Sequence, residues 1–357
     1  MLRPRLLFAA ILVGVLAIAC DGSQTPKAAP PADATGSPLT AIGAGLFGPP
    51  GLNASAYATG LAHASAFAFD GDGRLWVATA DFEDTGADGV YLVSSAGASP
   101  EQIITGLHTP LGLAWVDGAL YVASKERIEA YRGFANGAFA SFETVVAFPE
   151  GVGEVNGLIL GADGRLRVGI SAPCDHCVPQ SELSAAVLSF LPDGSVLRVE
   201  ASGIRAPIAF AYYPGTDDLF MTMNHRDDLE DATPPDWLGL VRAGDDWGFP
   251  DCYGQPDAAC DNAPKPVAAL DPHAAVSGVA IVTGGLGDAA GKAALVAEWS
   301  FGDVMRIPLT QTSGGYSGSS EPFITGFDQP MPVTLTPDGA LLVGDWGSGT
   351  IYRITSE

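Results

Sequence analysis

An all-β fold, a six-bladed β-propeller, is predicted by three features of the sequence. A pair of short apolar runs joined by an Asp-Gly or similar turn occurs six times. The leucines that open the second runs, at 75, 120, 166, 219, 295 and 341, are 45, 46, 53, 76 and 46 residues apart. Helical periodicity of useful length is nearly absent. Blades of about 40 to 50 residues are the repeating unit of such rings.

The first unit reads Ala66-Phe67-Ala68-Phe69, a turn at Asp70-Gly71-Asp72-Gly73, then Leu75-Trp76-Val77-Ala78. The second pairs 112–115 with 120–123 around Asp117-Gly118, and the third pairs 157–160 with 166–169 around Asp163-Gly164. The fourth joins 209–212 to 219–222 by a longer turn through Pro214-Gly215, and the fifth joins 278–281 to 295–297 by a glycine-rich loop. The sixth pairs 333–336 with 341–344 around Asp338-Gly339. Asp-Gly supplies the positive φ that a tight hairpin needs. Third strands are expected at 90–92, 127–131, 186–190, 238–241, 304–307 and 351–354. Fourth strands are expected at 102–104, 144–147, 196–199, 266–269 and 322–324. The sixth unit lacks a fourth strand because the chain stops at Glu357, so residues 54–58 are expected to fill that place and close the ring.

Ahead of the ring lies a segment of different character. Arg3 and Arg5 precede an apolar run over 6–19 that ends in small residues, which reads as a secretory signal over 1–19. Cys20 falls where cleavage is expected, as in the bacterial lipobox, and is expected to carry a lipid as the new N-terminus. An exported protein follows, periplasmic or at the cell surface, anchored to a membrane. Residues 20–50, rich in Ala, Pro, Gly, Ser and Thr, are expected to form a flexible tether, and 51–357 the propeller.

The four other cysteines form two close pairs, Cys174/Cys177 and Cys252/Cys260, and an oxidising compartment favours two short disulfides. Haem attachment would need His at 178, where Val stands, and a zinc site would need a second matching pair. The net charge of −24 argues against binding nucleic acid by phosphate neutralisation.

In a propeller, the links from outer strand to next inner strand gather on one face beside the central channel. Each link here carries a polar residue four to six positions before Phe67, Leu113, Leu158, Phe210, Val279 or Val333 of its inner strand: His63, His108, Glu154, Arg205, His273 and Gln329. Such a ring suits a polyhydroxylated or oxyanion-rich ligand, with or without a metal.

From 156 to 254 the chain resembles the glucose/sorbosone dehydrogenase family of quinoprotein propellers. The carrying residues are Asn156-Gly157-Leu158, Gly161-Ala162-Asp163-Gly164-Arg165-Leu166, Cys174-Asp175-His176-Cys177 and Gly203-Ile204-Arg205-Ala206-Pro207. The most specific are Asn224-His225-Arg226-Asp227-Asp228, Pro234-Pro235-Asp236-Trp237-Leu238 and Trp247-Gly248-Phe249-Pro250-Asp251-Cys252-Tyr253-Gly254. The resemblance implies pyrroloquinoline quinone, calcium beside it, and oxidation of a sugar or sugar aldehyde with a histidine base. It assigns Arg205, Asn224 and Arg226 to the cofactor, and His225 and Asp227 to the metal. The position of the family's base is Gly153, so Glu154 or His108 is expected to replace it. The chain also departs from the family at Ala206, His225 and Gly239. The other readings are a propeller that has lost redox chemistry and binds a carbohydrate or protein partner, and a calcium-dependent lactonase-like enzyme.

Overall fold

The computed structural model describes residues 38–83 and 88–356. The expected signal and Cys20 lie outside them. Six antiparallel sheets of four principal strands each form the blades. Blade 1 runs Ala64–Phe69, Leu75–Thr79, Asp88–Val93 and Glu101–Leu107 from the channel outward. Blade 2 is Gly112–Val116, Ala119–Ser124, Arg127–Arg132 and Ser141–Ala147. Blade 3 is Val155–Leu160, Leu166–Ile170, Ala186–Phe190 and Arg198–Ser202. Blade 4 is Pro207–Tyr212, Leu219–Met223, Trp237–Val241 and the two-residue Ala268–Ala269. Blade 5 is Val276–Val282, Ala293–Glu298, Asp303–Pro308 and Glu321–Thr325. Blade 6 is Pro330–Leu335, Leu341–Asp345 and Thr350–Ser356, completed by Leu52–Thr59 from the other end of the chain.

The hairpin chemistry read from the sequence is present: Gly73, Gly118, Gly164 and Gly339 all adopt positive φ. Two outer strands differ from expectation. In blade 3 the strand begins at 198 because a turn through Gly194, closed on Leu191, occupies the preceding residues. In blade 4 only Ala268–Ala269 pair, because Pro264 and Pro266 offer no N–H to a ladder. The segment read as tether also contains structure. Thr40–Gly43 and Leu46–Gly48 form a hairpin on the rim of blade 5, held by buried Ile42 and Leu46 against Phe323 and Ile324.

No single core exists. Six buried clusters each lie between neighbouring blades, as with Trp76, Leu92, Leu113 and Leu120 between blades 1 and 2. The ring closes on one of them, where Leu75 and Val77 of blade 1 meet Leu342 and Ile351 of blade 6. This explains how about 300 residues fold without one thick interior. Along the channel the inner strands line an open space of about 500 Å³ with apolar groups such as Phe67, Leu113, Phe210 and Val333. The links that carry the polar residues lie at the end where the inner strands begin.

Candidate functional site

The polar end is built by one repeated contact. In four blades the residue just after the second strand donates its N–H to the carbonyl of the residue read as part of the polar ring. These bonds are Ala80 to His63 (2.9 Å), Lys125 to His108 (2.9 Å), Ser171 to Glu154 (3.0 Å) and Trp346 to Gln329 (2.8 Å). In blade 4 the bond is displaced by one residue, Asn224 to Ala206, and in blade 5 by two, Trp299 to Ala275. His63, His108, Glu154 and Gln329 therefore hold one equivalent backbone position, while Arg205 and His273 lie one and two residues ahead of the bonded one. The turns are tight enough that His63, Thr109, His273 and Ala275 take left-handed backbone despite carrying a Cβ.

Part of the ring shares a cavity of about 560 Å³, whose walls include Phe82, Lys125, Glu154, Asp175, Arg205 and Asn224. Water reaches Glu154 from the mouth. Protein nevertheless surrounds its carboxyl closely, and that burial raises its pKa, opposed by the nearby Arg205 charge. Arg205 Nη2 donates to Asp175 Oδ1 at 2.6 Å, and Nη1 reaches the Asn224 carbonyl at 3.5 Å. The side-chain oxygen of Asn224 is buried and has no donor among the described residues.

Gly153 sits beside this cavity with φ +112°. A Cβ there would lie 2.9 Å from the Ser171 carbonyl carbon and nearer still to its oxygen. The backbone at 153 therefore admits no side chain, and Glu154 is the adjacent ionisable group.

The other expected residues have different surroundings. His63 stacks on Trp346 with ring centroids 4.3 Å apart. His273 Nδ1 lies 2.7 Å from Asp227 Oδ1. Gln329 donates its backbone N–H to Asp345. Arg226 is buried, forms a two-point pair with Asp228 (2.6 and 2.7 Å) and lies over the Tyr253 ring, so its guanidinium is already committed. His225 is buried, and desolvation with the Arg205 and Arg226 charges pushes its pKa down to about 4, so the ring is neutral. Its Nδ1 has no partner among the described residues. His225 and Asp227 are not gathered with a third ligand: no group of three His, Cys, Asp or Glu side chains suited to a metal occurs among the described residues. Both expected disulfides are present, Cys174–Cys177 and Cys252–Cys260.

Two features escaped the sequence reading. Buried acids tie down the mouth loops by accepting backbone N–H groups. Asp88 takes Asp81 and Thr109, Asp236 takes His225 and Val276, and Asp345 takes Asp328 and Gln329. Burial raises the Asp236 carboxyl to about 6. Trp346, whose indole N–H donates to the Ala80 carbonyl at 2.8 Å, also contacts Trp299 and Phe82 and links blades 5, 6 and 1 across the mouth. Tryptophans just after the second strands of blades 5 and 6 were the available signal.

No protein-family model matches the chain, and no curated protein sequence matches it. Solved structures do. A Trichoderma reesei protein of carbohydrate-active enzyme family AA12 superposes with TM-score 0.72 at 16% identity, over 89% of this chain and 99% of that one. The PQQ domain of pyranose dehydrogenase from Coprinopsis cinerea gives 0.70 at 15%, over 89% and 98%. PQQ-bound aldose sugar dehydrogenase from Streptomyces coelicolor gives 0.69 at 20%, over 87% and 100%. At these identities the likeness establishes the fold, a propeller shared with quinoprotein sugar dehydrogenases.

Proposed function

We propose that the protein oxidises a sugar, sugar aldehyde or polyol with pyrroloquinoline quinone and calcium bound at the mouth around Glu154 and Arg205. The observation that carries this reading is the Glu154 carboxyl, open to water yet enclosed by protein and set near a guanidinium in a cavity of about 560 Å³. The residues present fit the cofactor pair. The cavity has the volume of a small-molecule site. Arg205, paired with Asp175 through Nη2, keeps further N–H groups for a carboxylate or quinone oxygen. The Asn224 side-chain oxygen is a hard, unpartnered ligand suited to calcium, and Glu126, Glu154 and Asp175 give the lining more negative than positive charge.

When bound, the quinone supplies the acceptor for the substrate's hydride. Glu154 takes the hydroxyl proton. Its raised pKa brings it closer to that of a useful base, and it acts only when ionised. Arg205 binds the anionic ligand group. The ring of His63, His108, His273 and Gln329 offers further polar contacts around the substrate. Titration of the apo protein with quinone and calcium, read by tryptophan fluorescence, tests the reading; dye reduction over a sugar panel follows, with Glu154→Gln as the inactive control. Absence of quinone binding would refute it.

The closed backbone at Gly153 favours a second reading, a propeller without redox chemistry that binds carbohydrate at the same mouth. Direct sugar binding in the absence of quinone supports it. For location, we propose export and lipid attachment at Cys20. Mass spectrometry of the exported protein checks this, and an unmodified N-terminus elsewhere would overturn it.

A further inference from the structure

We infer that Asp175, carried in the short ring closed by the Cys174–Cys177 disulfide, is the positioning residue that aims Arg205 and the 224–228 loop at the mouth. The choice of Arg205 as ligand contact rests on the reading above; the positioning itself does not.

One carboxylate joins Arg205 to Asp227, beside the direct contact of Arg205 Nη1 with the Asn224 carbonyl. Asp175 Oδ1 accepts from Arg205 Nη2 at 2.6 Å, and the Asp227 N–H is shared between Oδ1 at 3.1 Å and Oδ2 at 2.9 Å. The orientation of Asp227 then carries across to blade 5, where its own carboxylate meets His273. Groups from blades 3, 4 and 5 are thereby referred to a single side chain. Arg205 makes its ion pair with Asp175 and not with Glu154. The guanidinium is thus drawn to the Asp175 side of the cavity, and Glu154 remains free to take a proton.

The disulfide supplies what the local chain lacks. Asp175 lies on the connection between Leu166–Ile170 and Ala186–Phe190, outside any strand. An unrestrained connection of this kind would lose much conformational freedom on presenting one side chain in one place. Closing Cys174 on Cys177, with Cα atoms 6.0 Å apart, removes most of that freedom at Asp175 itself.

Hydrogen exchange of the apo protein, followed by mass spectrometry, tests the assignment without any cofactor. Asp175→Ala should speed exchange in the 222–230 segment about ten- to a hundredfold, the scale of a lost charged hydrogen bond, and leave strand 186–190 protected. Asp175→Glu should restore part of the protection. Asp175→Asn should restore less, because it loses the pair with Arg205. The double variant Cys174→Ser/Cys177→Ser should show the same loosening, and adding Asp175→Ala to it should change little more. Unchanged exchange in Asp175→Ala, or fully additive effects, would overturn the proposal. Quinone affinity should fall in parallel. If the wild type binds no quinone while exchange responds as described, the positioning role stands and the cofactor reading alone fails.

Discussion

Gly153→Ala should destabilise the protein by about 3 kcal/mol or more. Two costs combine. A residue with a Cβ at φ +112° is strained by about 1–3 kcal/mol. The added carbon also falls 2.9 Å from the Ser171 carbonyl carbon and closer to its oxygen, an overpacking typically worth about 1–3 kcal/mol. Relief by backbone movement is hindered, because Ser171 N–H is bonded to the Glu154 carbonyl and Ala172 N–H to that of Arg205. Pushing Ser171 away would displace both residues of the candidate site. Urea denaturation should therefore show a lower midpoint with unchanged slope, and the variant should lose ligand binding in step with stability. A histidine at 153 should fare worse, so a base cannot be restored there by one substitution. An unchanged midpoint in Gly153→Ala would refute the reasoning, and would mean that this turn is softer than its hydrogen bonds imply.

Three other outcomes are expected. Asp70, whose buried carboxylate accepts from Asp72 N, Arg74 N, Arg74 Nε and Trp76 Nε1, should cost about 3 kcal/mol when replaced by alanine; a loss under about 1 kcal/mol in urea melts would contradict it. Glu298 is fully buried, and burial raises its carboxyl to about 8, beside an Asp303 raised to about 6. The folded state holds this proton between the unfolded glutamate range and about pH 8 while the unfolded chain does not, so this group makes stability fall as pH rises through that window. Glu298→Gln should flatten the decline, and parallel thermal melts of both proteins from pH 5 to 9 would disprove the assignment. Deleting the chain through residue 60 should leave the outer edge of strand Thr350–Ser356 unpaired and cause association on size-exclusion columns, whereas deletion through residue 50 should not. A well-behaved monomer from the longer deletion would count against the closure.

The blades were legible because local chemistry specifies them: alternating apolar runs and Asp-Gly turns need no distant partner to be recognised. The equivalence of His63, His108, Glu154 and Gln329 followed from their offsets of four or five residues to an inner-strand position. What joins those residues was not legible. Asp175 is 30 positions from Arg205 and 52 from Asp227, and no periodicity brings such pairs to notice. Arg226 and Asp228 look like site residues in the sequence, yet they satisfy each other across two positions. The rim hairpin was hidden by its Ala and Gly content, although Ile42 and Leu46 were available to bury.

The first and last strands of the ring share blade 6, and this has a mechanical consequence. A pull on the chain ahead of residue 40 would meet the rim hairpin first. That hairpin joins blade 5 through a single backbone pairing, Phe47 with Thr325, and otherwise through side-chain burial, so it can yield early. Next in line is Leu52–Thr59, paired along its length with Thr350–Ser356 and much harder to strip. Both lie on the outer edge of their sheets, with three strands between that edge and the channel in blade 6. Force delivered from the N-terminal side would be spent at the periphery before it disturbed the inner strands, leaving the geometry around Glu154 and Arg205 unloaded.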